Sequence, residues 1–90
     1  MPTLHIHISG KVQGVGYRAA AHATASQLGL TGWVKNLPDG RVAILAQGDQ
    51  TPLEQLIAWC QQGPRFAHVT AVEVSVSAEQ TPHTGFELRR

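Results

Sequence analysis

The segment Gly32-Trp33-Val34-Lys35-Asn36-Leu37-Pro38-Asp39-Gly40-Arg41-Val42-Ala43-Ile44-Leu45-Ala46-Gln47 consists of two apolar runs separated by Pro-Asp-Gly. Asp-Gly between apolar runs is a strong short-range hairpin signal, because glycine accepts the positive φ that a tight reversal needs. The spacing predicts two strands, Gly32–Leu37 and Arg41–Gln47, joined by that turn. Upstream, the Ala-rich run from Ala19 to Leu28 sets Ala21, Ala25 and Leu28 at i, i+4 and i+7. Gly29 follows where a helix end favours a left-handed residue, so a helix is predicted from about Tyr17 to Leu28. Before it, Leu4, Ile6 and Ile8 alternate with Thr3, His5, His7 and Ser9, the period of a strand with one apolar face. Downstream, Thr51-Pro52-Leu53-Glu54 combines an N-cap Thr, a Pro at the first helical position and a Glu two positions further. Leu53, Leu56, Ile57 and Cys60 form the apolar stripe of that second helix, and Gly63-Pro64 ends it. Val72, Val74 and Val76 alternate with Glu73, Ser75 and Ser77 as another strand, and Phe86 and Leu88 suggest a short last one. The order is βαββαβ with a final short strand, the split βαβ pattern of an α+β, ferredoxin-like sandwich with two helices on one face of an antiparallel sheet. No linker, repeat or low-complexity tract interrupts it, so residues 1–90 read as a single domain.

Composition narrows the function classes. Only 14% of the residues are charged and the net charge is +1, which argues against a general nucleic-acid binder. The total hides an asymmetry. Residues 1–38 carry Lys11, Arg18 and Lys35 and no acid, a net of +3. Residues 39–90 carry Asp39, Asp49, Glu54, Glu73, Glu79 and Glu87 against Arg41, Arg65, Arg89 and Arg90, a net of −2. The acid-free half is where an anionic ligand is to be sought. The single cysteine, Cys60, leaves no intrachain disulfide and no Cys-based zinc site. No stretch approaches the ~20 apolar residues of a membrane helix. The N-terminal Met-Pro-Thr-Leu-His-Ile-His lacks a charged start and an apolar run, so it is not read as a signal peptide; a cytoplasmic setting is expected.

Gln13-Gly14-Val15-Gly16-Tyr17-Arg18 links the first strand to the first helix. Glycines allow successive N–H groups to turn toward one point, and the helix start adds free N–H groups and the positive end of its dipole. No Ser, Thr, Asp or Asn precedes the helix to cap those donors. Arg18 adds a planar fork of donors suited to phosphate. The pieces converge on a small dianion. Neither the dinucleotide fingerprint nor a Walker loop fits: the third glycine, the later acid and the Gly-Lys-Ser/Thr are missing.

Gly10-Lys11-Val12-Gln13-Gly14-Val15-Gly16-Tyr17-Arg18 resembles the acylphosphatase signature G-x-V-Q-G-V-G-[FY]-R. Gly32 to Val42 resembles the family's second signature, G-x-V-x-N-x-x-[DN]-G-x-V, and Phe86-Glu87-Leu88-Arg89 is similar to its closing F-x-[IVL]-R. The resemblance covers essentially the whole chain. It implies metal-free hydrolysis of carboxyl phosphates, R–CO–OPO₃²⁻, to a carboxylate and phosphate, with no cofactor. Carried over by position, Arg18 binds the phosphate, Asn36 orients the attacking water, and the amides of Gln13, Gly14, Val15, Gly16, Tyr17 and Arg18 complete the cradle. The expected partner is a small-molecule acyl phosphate, with inorganic phosphate or sulfate as a competing anion. A monomer is expected, with no nucleic-acid or membrane partner. The Ala-rich first helix and the modest basicity depart from many relatives, away from the chemistry. Such an anhydride is already activated, so positioning and charge stabilisation are most of what a protein must add. Asn36 does not titrate and can only orient water, which leaves a substrate phosphate oxygen to take the water's proton.

The remaining polar and aromatic residues read as structural. His5 and His7 share one face of the first strand and are taken as polar residues of the open sheet face rather than metal ligands. His22 is taken as a solvated helix position one turn after Arg18, Tyr17 as a packing anchor, Trp33 and Trp59 as core or boundary residues, and Cys60 as an inert buried thiol. A single-stranded RNA binder of the same strand–helix order would need stacking aromatics on its central strands, and the 41–47 strand has none. A regulatory domain that only binds the anion is the other alternative, and the intact Arg18 and Asn36 argue against it.

Overall fold

The Pro-Asp-Gly hairpin forms as the spacing predicts. In the computed structural model, which describes residues 2–78 and 82–90, β2 (Thr31–Asn36) and β3 (Val42–Gln47) pair antiparallel from Thr31 opposite Gln47 to Asn36 opposite Val42. Met1 and Glu79, which entered the sequence reading, lie outside the described residues. β1 (Thr3–Lys11) adds antiparallel to the other side of β3, and β4 (His68–Val76) adds antiparallel to β1. β5 (Phe86–Leu88) closes the opposite edge, giving the order β4-β1-β3-β2-β5. β5 runs parallel to β2, so the sheet is not antiparallel throughout. A parallel partner needs a long connection, and here everything between β2 and β5 supplies it.

β3 sits in the middle, which explains why Val42 to Ala46 are all buried. On one face Ile6, Ile8, Val34, Val42, Ile44 and Ala46 pack against both helices: α1 (Tyr17–Gln27) through Ala21 and Ala25, and α2 (Gln50–Gln62) through Leu53, Leu56 and Cys60. The alanines of α1 let its backbone lie close to the sheet. On the other face Trp33, Ala43 and Leu45 form a smaller cluster, with the His5 ring edge-on to Trp33 at 5.7 Å. The architecture is the expected two helices on one sheet face.

Two local details differ from expectation. α2 begins earlier than Thr51: its N-cap is Asp49, and Pro52 falls at the third helical position. The first-turn N–H groups have no intrahelical partners, so a proline is tolerated throughout that turn and does not mark its first residue. β1 runs past Ser9 to Lys11 by shifting register against β4 between Ser9 and Gly10. Such a bulge redirects the strand as it enters the glycine loop.

Candidate active site

The loop after β1 turns through Gly14 and Gly16, both in left-handed conformations at φ 75° and 80°. A side chain at either would be strained, which is why glycines stand there. Gly16 is the N-cap of α1, and no side chain caps the helix start. Arg18 extends from the first turn of α1 and is half-buried. Its guanidinium donates to the Arg89 carbonyl just beyond β5, at 3.0 Å. Asn36 ends β2, and its Oδ1 is buried and accepts no hydrogen bond among the described residues. A buried acceptor left unpaired costs about 1–3 kcal/mol, which a donor from a bound group relieves.

These residues meet in one place. A cavity of about 200 Å³ is lined by Val12, Gly14, Gly16, Tyr17, Arg18, Ala19, Asn36 and Leu88. Its donors are a guanidinium, a side-chain amide and the glycine-loop backbone, and none of the lining residues is acidic. A larger cleft of about 280 Å³ runs along Pro82 to Glu87, but it lacks both Arg18 and Asn36, so chemistry rather than size selects the site.

Acylphosphatase is the family whose sequence model matches residues 4–88, almost the full chain and both glycine-containing motifs. The chain belongs to the acylphosphatase family. It is 49% identical over 90 residues to an acylphosphatase of Methylococcus capsulatus, covering all of this chain and 98% of that one. Among solved structures it resembles the Bacillus subtilis acylphosphatase, with a TM-score of 0.95, 37% identity and full coverage of both chains. It also resembles the Coxiella burnetii acylphosphatase, with a TM-score of 0.92 and 36% identity over 98% of this chain and 92% of that one. Membership of the acylphosphatase family makes the chain a hydrolase of that type.

The predicted site residues divide within this acylphosphatase fold. Gly14, Gly16, Tyr17, Arg18 and Asn36 line the cavity together; Gln13 and Val15 do not. Val15 packs against the main core. The Gln13 side chain turns away and donates from Nε2 to the carbonyls of Leu37 at 2.8 Å and Arg41 at 2.9 Å. The Tyr17 ring is a buried anchor, 5.1 Å from that of Trp59, and its hydroxyl donates to the Cys60 carbonyl at 2.7 Å. Burial pushes the Tyr17 phenol far above its usual range and lifts the Cys60 thiol to about 11, so neither ionises near neutrality. Of the three cations in residues 1–38, only Arg18 lines the cavity, while Lys35 lies over the Trp33 ring at 4.9 Å. His22 is not a free surface residue: its Nε2 is 2.8 Å from the Phe86 carbonyl, tying α1 to β5. Val12, Ala19 and Leu88 were not foreseen as lining residues. The apolar alternation of β5 could have pointed to Leu88, but only its pairing with Val34 brings it to the site. Among the described residues no three His, Cys, Asp or Glu side chains gather as metal ligands, and no helix is long and apolar enough to cross a membrane.

Proposed function

We propose that this chain hydrolyses the carboxyl–phosphate bond of small acyl phosphates without a metal, as a monomer built from one domain. The phosphate sits in the 13–18 cradle, held by the loop amides and the first-turn N–H groups of α1. The Arg18 guanidinium neutralises it. Asn36 Oδ1 accepts a hydrogen bond from the attacking water and so orients its oxygen toward phosphorus. The water oxygen bonds to phosphorus as the bridging P–O bond breaks, the acyl group leaves as a carboxylate, and a phosphate oxygen takes the proton. The observation that carries this reading is one cavity in which Arg18, the glycine loop and an unpaired Asn36 carbonyl meet with no carboxylate in its lining. A carboxylate there would repel the dianion and offer a magnesium ligand. Phosphate and sulfate fit the same donors and are expected to compete with substrate. Trp33, only 8% exposed, lies beneath Lys35 and Arg89, which leaves no bare indole for a nucleic-acid base on the open face.

The test is hydrolysis of benzoyl phosphate in EDTA, followed by loss of anhydride absorbance. The wild-type chain turns it over. Arg18→Ala loses roughly 10²–10³-fold in kcat/KM and binds phosphate more weakly. Asn36→Ala loses about 100-fold in kcat with the phosphate inhibition constant nearly unchanged. Wild-type hydrolysis at the spontaneous rate overturns the activity, and unchanged turnover in Asn36→Ala overturns its role.

A further inference from the structure

We infer that Gln13 is a positioning residue that sets the distance between the phosphate cradle and Asn36. Its backbone opens the glycine loop, while its side chain leaves the loop and grips the other half of the site. Nε2 has two N–H groups, and both are used: one bonds the Leu37 carbonyl and the other the Arg41 carbonyl. These two carbonyls flank the Pro38-Asp39-Gly40 turn. Each already accepts one backbone bond, from Gly40 N at 3.2 Å to Leu37 and from Leu37 N at 2.8 Å to Arg41. Gln13 therefore supplies the second acceptor bond to each, from residues 24 and 28 positions away. Leu37 directly follows Asn36, and Val42, directly after Arg41, pairs with Asn36 across the hairpin. One amide thus holds both chains of the hairpin beside the water-orienting side chain.

Backbone pairing of β1 with β3 also relates cradle to hairpin, but it ends at Ile8 opposite Val42, before the glycine loop begins. The cradle is shaped by its own glycines and by α1, and the hairpin by β2–β3 pairing. Phosphorus is held by the first and the attacking water by the second, so their relative placement decides reactivity. A misplacement of about 1 Å at such a centre costs on the order of 100-fold in rate. Removing the tie leaves the phosphate donors intact, so the loss falls on turnover rather than on anion affinity. The inference rests on the proposed roles of Arg18 and Asn36.

The experiment is a double-mutant cycle read by kcat, KM and phosphate inhibition. Gln13→Met keeps side-chain length and removes both donors; Gln13→Glu, a second variant, sets a carboxylate against the same two carbonyls. Since both carbonyls keep a backbone bond, the fold is expected to survive, and circular dichroism and thermal melting check this for each variant. In the wild-type background each substitution lowers kcat about 10- to 100-fold while the phosphate inhibition constant moves less than about threefold. In the Asn36→Ala background, assayed at enzyme levels that lift the rate above spontaneous hydrolysis, the further loss shrinks to less than about threefold. An unchanged kcat in both folded variants overturns the inference. So does equal loss in both backgrounds, or a loss that appears as weaker phosphate binding. Undiminished turnover in Asn36→Ala alone is a different result, and it overturns the Asn36 role instead.

Discussion

The Tyr17 hydroxyl completes a helix that its own sequence leaves incomplete. The carbonyl of Cys60 in α2 would ordinarily accept from the N–H four residues on, but that residue is Pro64, which has none. The neighbouring carbonyl, Trp59, takes Gly63 N at 2.8 Å, and Cys60 is left for the Tyr17 phenol. Tyr17→Phe keeps the ring packing and strands that buried carbonyl. The expected cost is about 1–3 kcal/mol, seen as a melting temperature lower by roughly 4–8 °C per kcal/mol, with kcat unchanged. A fall in kcat at full stability would instead give the phenol a part in the chemistry. This bond also joins the first residue of α1, within the proposed cradle, to the last turn of α2, so the proposed anion site is seated on both helices.

At the scale of elements, β5 matters more than its three residues suggest. His22 holds its start through the Phe86 carbonyl, Arg18 reaches the carbonyl just past its end, and Arg89 N bonds Val34 O at 2.8 Å. Deleting Arg89 and Arg90 removes the acceptor that aims the Arg18 guanidinium and places the new terminal carboxylate on Leu88, a lining residue, so both changes act against a bound dianion. The KM for benzoyl phosphate and the phosphate inhibition constant are then expected to rise on the order of tenfold. Steady-state kinetics on the truncated chain check this, and unchanged constants would show that Arg18 needs no such guide. The elements themselves were legible where the signal was local: the Asp-Gly turn, the alternation of β1 and β4, the Ala21–Ala25 stripe and the Gly63-Pro64 stop. The two motifs likewise singled out Arg18 and Asn36, which line one cavity. What escaped the reading joins distant segments. Arg18 meets a carbonyl 71 positions away, His22 one 64 away, and the Gln13 amide two that are 24 and 28 away. No periodicity encodes such pairings, since they follow from strand order. The start of α2 was misplaced for a different reason: Asp49, Thr51 and Pro52 are all good first-turn residues, and local chemistry alone does not choose among them.

Over the whole molecule, the open sheet face carries a pH dependence. The His7 pKa is held below its usual 6.5 by burial, then by the nearby His5 and Arg41, against the opposing pull of Glu73 and Asp39. Just below pH 6.5 the unfolded chain therefore binds more protons at this site than the folded one. Stability contributed by neutral His7 is full above that pH and is lost as pH falls. Urea unfolding midpoints should drop between pH 7.5 and 5, and His7→Gln should flatten that slope; an identical slope in the variant would assign it to other groups. The strand order has a consequence of another kind, for how fast the chain folds. Among the described strands, only β2 and β3 are neighbours both in the sheet and in sequence. Every other pairing must close a long loop first, and such closures slow folding in small domains. The hairpin can form within about 1–10 μs by itself. Arg18, Asn36 and the Arg89 carbonyl come from α1, the end of β2 and just past the end of β5, so the proposed site is complete only after the slowest of these closures. A refolding chain would hold its hairpin long before it could hold a phosphate.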